Sequence, residues 1–189
     1  MGEQQIRAFI SVDVEDPAVI SKLVSIRDAF VATGVPMKPV ESHNMHITLR
    51  FLGNIPASLV DDIEKVMREA APRRIKIHLY GVGAFPSPQR PRVLWVGVKE
   101  GAEELERIYS ALERGLRRLG FSPERESFVA HVTLARLKGS RNISRVVKLL
   151  MQMSDVDVGY IELTSIRLKQ SILTPHGPIY KTLREVPAI

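Results

Sequence analysis

Apolar residues in this chain recur at two periods, and the changes between them mark out the elements. Ile6-Arg7-Ala8-Phe9-Ile10-Ser11-Val12-Asp13-Val14 is dense in β-branched and aromatic residues and predicts a strand. Asp16-Pro17 supplies an N-cap followed by proline at the first helical position; Val19, Leu23, Ile26 and Phe30 then recur at helical spacing until Gly34 ends the segment. A basic, proline-punctuated loop from Pro36 to Asn44 leads into a strand from His46 to Gly53. Leu59, Ile63, Val66 and Ala70 form the stripe of a second helix that stops before Pro72, and Ile75 to Phe85 reads as a strand.

Phe85-Pro86-Ser87-Pro88-Gln89-Arg90-Pro91-Arg92 carries three prolines, which predicts a loop and a boundary between halves. The pattern then begins again. Val93 to Val98 is a strand, and Leu105, Ile108, Leu112 and Leu116 form a helix face closed by Gly120. A loop from Phe121 to Phe128 delivers a strand from His131 to Leu137, and Asn142 is placed to cap a short helix carrying Ile143, Val146, Leu150 and Met153. Val158 to Ile172 is one long strand or two broken ones, 174–178 is a turn, and Ile179 to Val186 is a final strand.

Each half thus reads strand, helix, strand, helix, strand, and Phe9 precedes His46 by 37 residues as Trp95 precedes His131 by 36. This predicts a single bilobal α+β domain over residues 1–189. Its lobe-forming repeats lie at about 6–85 and 93–172, related by a pseudo-two-fold, with a final strand at about 179–186. Two largely antiparallel sheets are expected to face a central cleft with helices on the outer faces, because the connections at 86–92 and 174–178 are too short for the crossover helices of a parallel sheet.

Composition narrows the chemistry. With no cysteine, disulfides, thiolate metal sites and cysteine nucleophiles are excluded. No apolar run approaches the ~20 residues that span a membrane, and Met1 to Arg7 does not read as a signal peptide, so the cytoplasm is the expected compartment. Twenty-seven Lys plus Arg against 21 Asp plus Glu leave a net charge of +6, which suits an anionic partner as well as it suits a simply solvated basic surface.

Against that background one pattern stands out. His46-Ile47-Thr48-Leu49-Arg50-Phe51 is echoed 85 residues later by His131-Val132-Thr133-Leu134-Ala135-Arg136. Alternation puts His46 with Thr48, and His131 with Thr133, on one face of each strand, while Ile47, Leu49, Val132 and Leu134 turn into the apolar layer. In-line displacement at phosphorus needs groups on both sides of the atom. Two facing imidazoles, whose ordinary pKa of ~6.5 lies near neutrality, can supply a proton acceptor and a proton donor. The threonine hydroxyls can hydrogen-bond the non-bridging oxygens. Arg136 falls on the opposite face of a regular strand from His131, so it reaches that face only from the strand end or through a bulge, and is otherwise a surface residue.

These duplicated His-x-Thr strands, with Phe9-Ile10-Ser11-Val12 near the start, resemble the 2H phosphoesterase superfamily. His-Ile-Thr-Leu-Arg-Phe-Leu-Gly and His-Val-Thr-Leu-Ala-Arg are more closely similar to the RNA 2′,3′-cyclic phosphodiesterase or 2′-5′ RNA ligase family, over nearly the whole chain. The resemblance implies opening of a terminal 2′,3′-cyclic phosphate to a 2′-phosphate without metal or other cofactor. His46 would be the general acid toward the 3′ oxygen, His131 the general base for water, and Thr48, Thr133 and Arg136 would hold phosphate. The residues themselves are symmetric on which histidine is acid. The implied partner is RNA with a 2′,3′-cyclic phosphate end, met by a monomer with no obligate protein partner and no membrane. Reversal would join such an end to a 5′-hydroxyl. RNA ligation, another cyclic or 2′,5′-linked phosphodiester, and a non-catalytic RNA- or nucleotide-binding module on the same fold stay open as alternatives.

Other residues carry weaker expectations. Phe9 either stacks on a terminal base or packs in the core; Arg50, on the alternation face of His46 and Thr48, is either a phosphate contact or a solvated rim residue; Tyr180 is placed to close the cleft. His43 reads as a loop residue without metal-ligand spacing, His78 as a sheet-surface residue and His176 as part of a turn, with lining of the RNA path as its alternative. Lys38, Arg90, Arg92, Arg125 and Arg141 are loop cations suited to an RNA backbone as a group, though each alone reads as a solvated charge.

Overall fold

The stripes at helical spacing become four helices, of which the first starts where its sequence says it should. The computed structural model describes residues 1–189. Asp16 accepts a hydrogen bond from the Val19 amide at 3.0 Å, and Pro17, which lacks a donor, opens α1 (Pro17–Val31), with Val19, Leu23, Ile26 and Phe30 buried. α2 (Val60–Glu69) and α3 (Ala102–Arg118) carry acidic residues in the first turn and arginine in the last, matching the helix dipole. α4 (Ile143–Gln152) departs from expectation at its start. Asn142 sits at φ 63°, a left-handed conformation asparagine tolerates, and makes no side-chain cap.

The strands are β1 (Gln5–Asp13), β2 (Met37–Pro39), β3 (His46–Pro56), β4 (Lys76–Ser87), β5 (Arg90–Val98), β6 (His131–Leu137), β7 (Asp157–Glu162), β8 (Ser165–Thr174) and β9 (Gly177–Pro187). All pair antiparallel in one curled sheet of order β7-β4-β5-β6-β3-β1-β8-β9, with β2 added alongside β6. The two four-stranded halves meet at a single residue pair, Ile47 with Val132, where the two motif strands touch.

The segment expected to be a loop at 85–92 is instead the tip of a hairpin. β4 and β5 run on until only Pro88 and Gln89 turn the chain, and Pro86 pairs opposite Pro91 at the end of the ladder, where a missing N–H costs little. That hairpin has a consequence for the duplication. β4 closes the first sequence repeat but is hydrogen-bonded to β5 and β7 of the second, while β8 pairs with β1 of the first. The halves of the sheet are therefore β3-β1-β8-β9 and β6-β5-β4-β7, not the contiguous stretches 6–85 and 93–172. A two-residue turn forces neighbours in sequence to be neighbours in the sheet.

The helices cover one face of the sheet. α1 packs against β6 and β7, α3 against β3 and α2, α2 against β9, and α4 against β4 and β5. Between sheet and helices lies the core, which receives Ile47, Leu49, Val132 and Leu134, all fully buried. The other, concave face carries the polar members of the motif strands. No helix is long and apolar enough to cross a membrane.

Candidate active site

The Ile47–Val132 pair brings the two motifs together. Extending that antiparallel register by one residue either way sets His46 opposite Thr133 and Thr48 opposite His131, on the concave face. The histidines are then diagonal neighbours, separated in a regular ladder by roughly 7–8 Å between side-chain roots. That gap accepts a tetrahedral group with one imidazole on each side.

Each histidine is held the same way. His46 Nδ1 donates to the Asn44 carbonyl and His131 Nδ1 to the Val129 carbonyl, both at 2.7 Å. A carbonyl only accepts, so the proton sits on Nδ1, and Nε2 is the nitrogen left for chemistry in the neutral ring. Nε2 of His46 lies 2.9 Å from the Thr48 hydroxyl, which donates to it in that state. Around His46 pack Phe9 at 5.0 Å and, edge-on, Tyr180 at 5.5 Å; around His131 pack Phe85 at 4.9 Å and Trp95 at 6.0 Å between ring centres.

Burial lowers both imidazole pKa values below the ordinary 6.5. Neighbouring charges distinguish them. Beyond the carbonyl each one faces, Asp13 favours the charged form of His46, against a smaller opposing influence of Lys169, whereas Arg136 disfavours the charged form of His131. Asp13 is itself held. Burial alone would raise its pKa, but Lys169 Nζ at 2.7 Å and Arg167 at 2.9 Å keep its carboxyl below the usual range, and Ser11 donates to it at 2.8 Å.

A cleft of about 510 Å³ takes in His46, Thr48, Thr133, Arg136, Phe9 and Tyr180, and a neighbouring hollow of about 400 Å³ contains His131; Thr48 and Phe51 border both. Phe9 lines the cleft yet is only 3% exposed, so it is a wall under His46 rather than an open stacking platform.

Arg50 is corrected. It is 6% exposed, ion-paired with Glu113, and donates to the carbonyls of Phe51 and, at 2.7 Å, Ser122. The reason is a β-bulge: Ser11 pairs with Thr48 and Ile10 with Arg50, so Leu49 is the extra residue and the alternation changes sides after it. β6 carries the same bulge at the same place in its motif, since Trp95 pairs with Thr133 and Leu94 with Ala135. The fifth residue after each histidine therefore turns to the concave side. In β6 it is Arg136, which reaches the cleft through the bulge; in β3 it is Phe51, 53% exposed, which alternation alone had hidden.

Other positions depart from simple alternation or were invisible to it. His78 is not a surface residue: it is 6% exposed, lies 2.8 Å from Asp157 and stacks on Tyr160 at 4.2 Å, away from the motif strands. His43 is exposed in a single 3₁₀ turn (Ser42–Asn44), and His176 is exposed in the β8–β9 turn. Ser11 and Asp13 carry no expectation from the sequence, and the one local signal for them is their period-two spacing from Phe9 in β1. Arg167 and Lys169 become site residues only because β8 pairs with β1.

The family model of LigT-like phosphoesterases matches residues 14–95 and again 96–180. The RNA 2′,3′-cyclic phosphodiesterase of Aeropyrum pernix is 54% identical over 90% of this chain and 97% of its own length, and that of Archaeoglobus fulgidus is 41% identical over 94% and 98%. A crystal structure of a Thermus thermophilus protein superposes with a TM-score of 0.80 at 27% identity, covering 96% of this chain and 97% of that one. Escherichia coli LigT complexed with 3′-AMP shares the fold at a TM-score of 0.77 and 20% identity, over 98% and 99% of the two chains. The chain belongs to the LigT-like phosphoesterases, a family of the 2H phosphoesterase superfamily.

Proposed function

We propose that the protein is an RNA 2′,3′-cyclic phosphodiesterase, a phosphoric diester hydrolase acting as a cytoplasmic monomer on RNA 3′ ends. The observation that carries this reading is the diagonal pair of imidazoles, each with Nδ1 tied to a carbonyl, which leaves Nε2 for the cleft, where that of His46 meets the Thr48 hydroxyl. With the cyclic phosphate between them, His131 Nε2 takes a proton from water as its oxygen bonds to phosphorus. The P–O3′ bond breaks, and His46 Nε2 gives its proton to the departing 3′ oxygen, leaving a 2′-phosphate and a 3′-hydroxyl. Thr48, Thr133 and Arg136 hydrogen-bond the non-bridging oxygens. The acid role at His46 is supported by Asp13, which favours its imidazolium, and the base role at His131 by Arg136, which opposes protonation there.

Both proton transfers are met by side chains, so no metal or cofactor enters the scheme. Run backwards, the same groups join a 2′,3′-cyclic end to a 5′-hydroxyl, giving 2′-5′ ligation, although hydrolysis dominates in water. The test is hydrolysis of a nucleoside 2′,3′-cyclic phosphate in EDTA at neutral pH with products resolved. The expected product is the 2′-monophosphate, with His46→Ala and His131→Ala each losing far more than ~10²-fold in kcat. An intact substrate, or a 3′-monophosphate product, overturns the proposal.

A further inference from the structure

Lys38 and Arg136 face one another as direct partners across the β2–β6 ladder. Like charges opposed on one sheet face repel and are destabilising unless something anionic sits with them. Neither has a carboxylate partner, whereas Arg27, Arg50, Arg107, Arg167 and Arg184 each do. β2 is three residues long and pairs only with β6, and of its side chains only Met37 is partly buried. Its effect on the surface is to hold Lys38 beside Arg136. Lys138 joins them from the end of β6, where its amide donates to the Pro36 carbonyl at 2.7 Å, and His176 approaches from the β8–β9 turn.

These four side chains line a hollow of about 240 Å³ that shares Asn44, Arg136 and Tyr180 with the cleft at His46. Glu41 is its one carboxylate; it is exposed and pairs with no cation. The hollow is thus a cationic annex to the cleft. Arg136 stands three residues from Thr133, at most about 10 Å along the strand. A phosphate resting on Lys38 and Lys138 is therefore within one nucleotide's reach of one held by Thr133.

We propose that this annex is a second anion subsite, taking the internucleotide phosphodiester on the 5′ side of the terminal nucleotide when the substrate is an RNA strand. The assignment rests on the reading that the two-histidine cleft holds the terminal cyclic phosphate. It makes the enzyme selective for oligonucleotide ends over free cyclic nucleotides, with Lys38 and Lys138 as the residues that confer the preference.

The experiment compares a dinucleotide ending in a 2′,3′-cyclic phosphate with the corresponding nucleoside 2′,3′-cyclic phosphate, using the wild type and the Lys38→Ala/Lys138→Ala variant. The wild type is expected to prefer the dinucleotide. The variant is expected to raise the dinucleotide KM at least tenfold, keep mononucleotide kcat/KM within twofold, and lower the salt slope of dinucleotide kcat/KM by about 0.7, the value for one single-strand phosphate contact. Equal losses on both substrates, or no dinucleotide preference in the wild type, overturn the subsite. Calorimetric binding of the dinucleotide carrying a terminal 2′-phosphate separates the two readings. If the wild type turns over neither substrate but binds this ligand at least tenfold more tightly than the variant, the catalytic reading falls and the subsite stands. Equal binding by the two proteins refutes the subsite.

Discussion

Replacing Arg50 by methionine separates a buried structural arginine from a phosphate-binding one. Methionine keeps most of the apolar stem and removes the charge. In the folded protein the guanidinium is bonded to Glu113, to the Phe51 carbonyl and to the Ser122 carbonyl, with Glu124 at 3.6 Å. Its loss strands the buried Glu113 without a counter-charge and releases the segment from Phe121 to Ala130 that leads into His131. Breaking one side of a buried pair costs roughly 3–5 kcal/mol, against ~1 kcal/mol or less for an exposed pair. At about 2–4 °C per kcal/mol for a chain of this size, the melting temperature should fall by roughly 6–20 °C. Urea unfolding measures the free energy directly, and Arg50→Met combined with Glu113→Leu should recover much of it, because no charge is then left unpaired. A loss below ~1 kcal/mol accompanied by a tenfold rise in KM would refute this reasoning and return Arg50 to the substrate.

Trp95, the single tryptophan, lies 6.0 Å from the His131 ring, so its fluorescence should fall as the imidazole protonates, with a midpoint below 6.5; a midpoint above that value contradicts the burial-driven shift. Both motif histidines have folded pKa values below their unfolded ones, so the unfolded chain binds more protons as pH drops and stability is lost as pH falls from about 6.5 through the folded values. The His46→Gln/His131→Gln variant should show a shallower decline in melting temperature from pH 8 to 5 than the wild type, and parallel curves would remove these groups from the linkage. Phe51→Ala should leave the melting temperature within about 2 °C, as expected of an exposed side chain, while raising KM several-fold; loss of stability with unchanged KM would assign Phe51 to packing.

Much of the fold is legible because local periods are strong. The stripe Val19, Leu23, Ile26, Phe30 and the stripe Leu105, Ile108, Leu112, Leu116 are buried as spacing predicts, and Asp16-Pro17 starts α1. Where the structure departs from the local pattern, the physical reasons are identifiable. Three prolines read as a loop, although a proline pair at a hairpin tip removes few ladder bonds. Asn142 read as a cap, but its backbone entered the left-handed region. Strict alternation placed Arg50 with His46, and one extra residue in β3 reversed the side on which it and Phe51 lie.

The motif itself belongs to the sequence. The order His-x-Thr-hydrophobic, with period-two alternation, is enough to hang an imidazole and a hydroxyl on one face of a strand, twice. The tertiary structure decides how the two copies meet. Pairing of Ile47 with Val132 makes the imidazoles diagonal neighbours, carbonyls at residues 44 and 129 choose which nitrogen faces the cleft, and matching bulges bring Arg136 and Phe51 into it. Pairing of β1 with β8 sets Lys169 and Arg167 on Asp13, and through Asp13 the two histidines become electrostatically unlike. Alternation is a property of one strand and can be read along it. Register, bulges and the charges that surround a buried ring arise between strands far apart in the chain, and no local pattern encodes them.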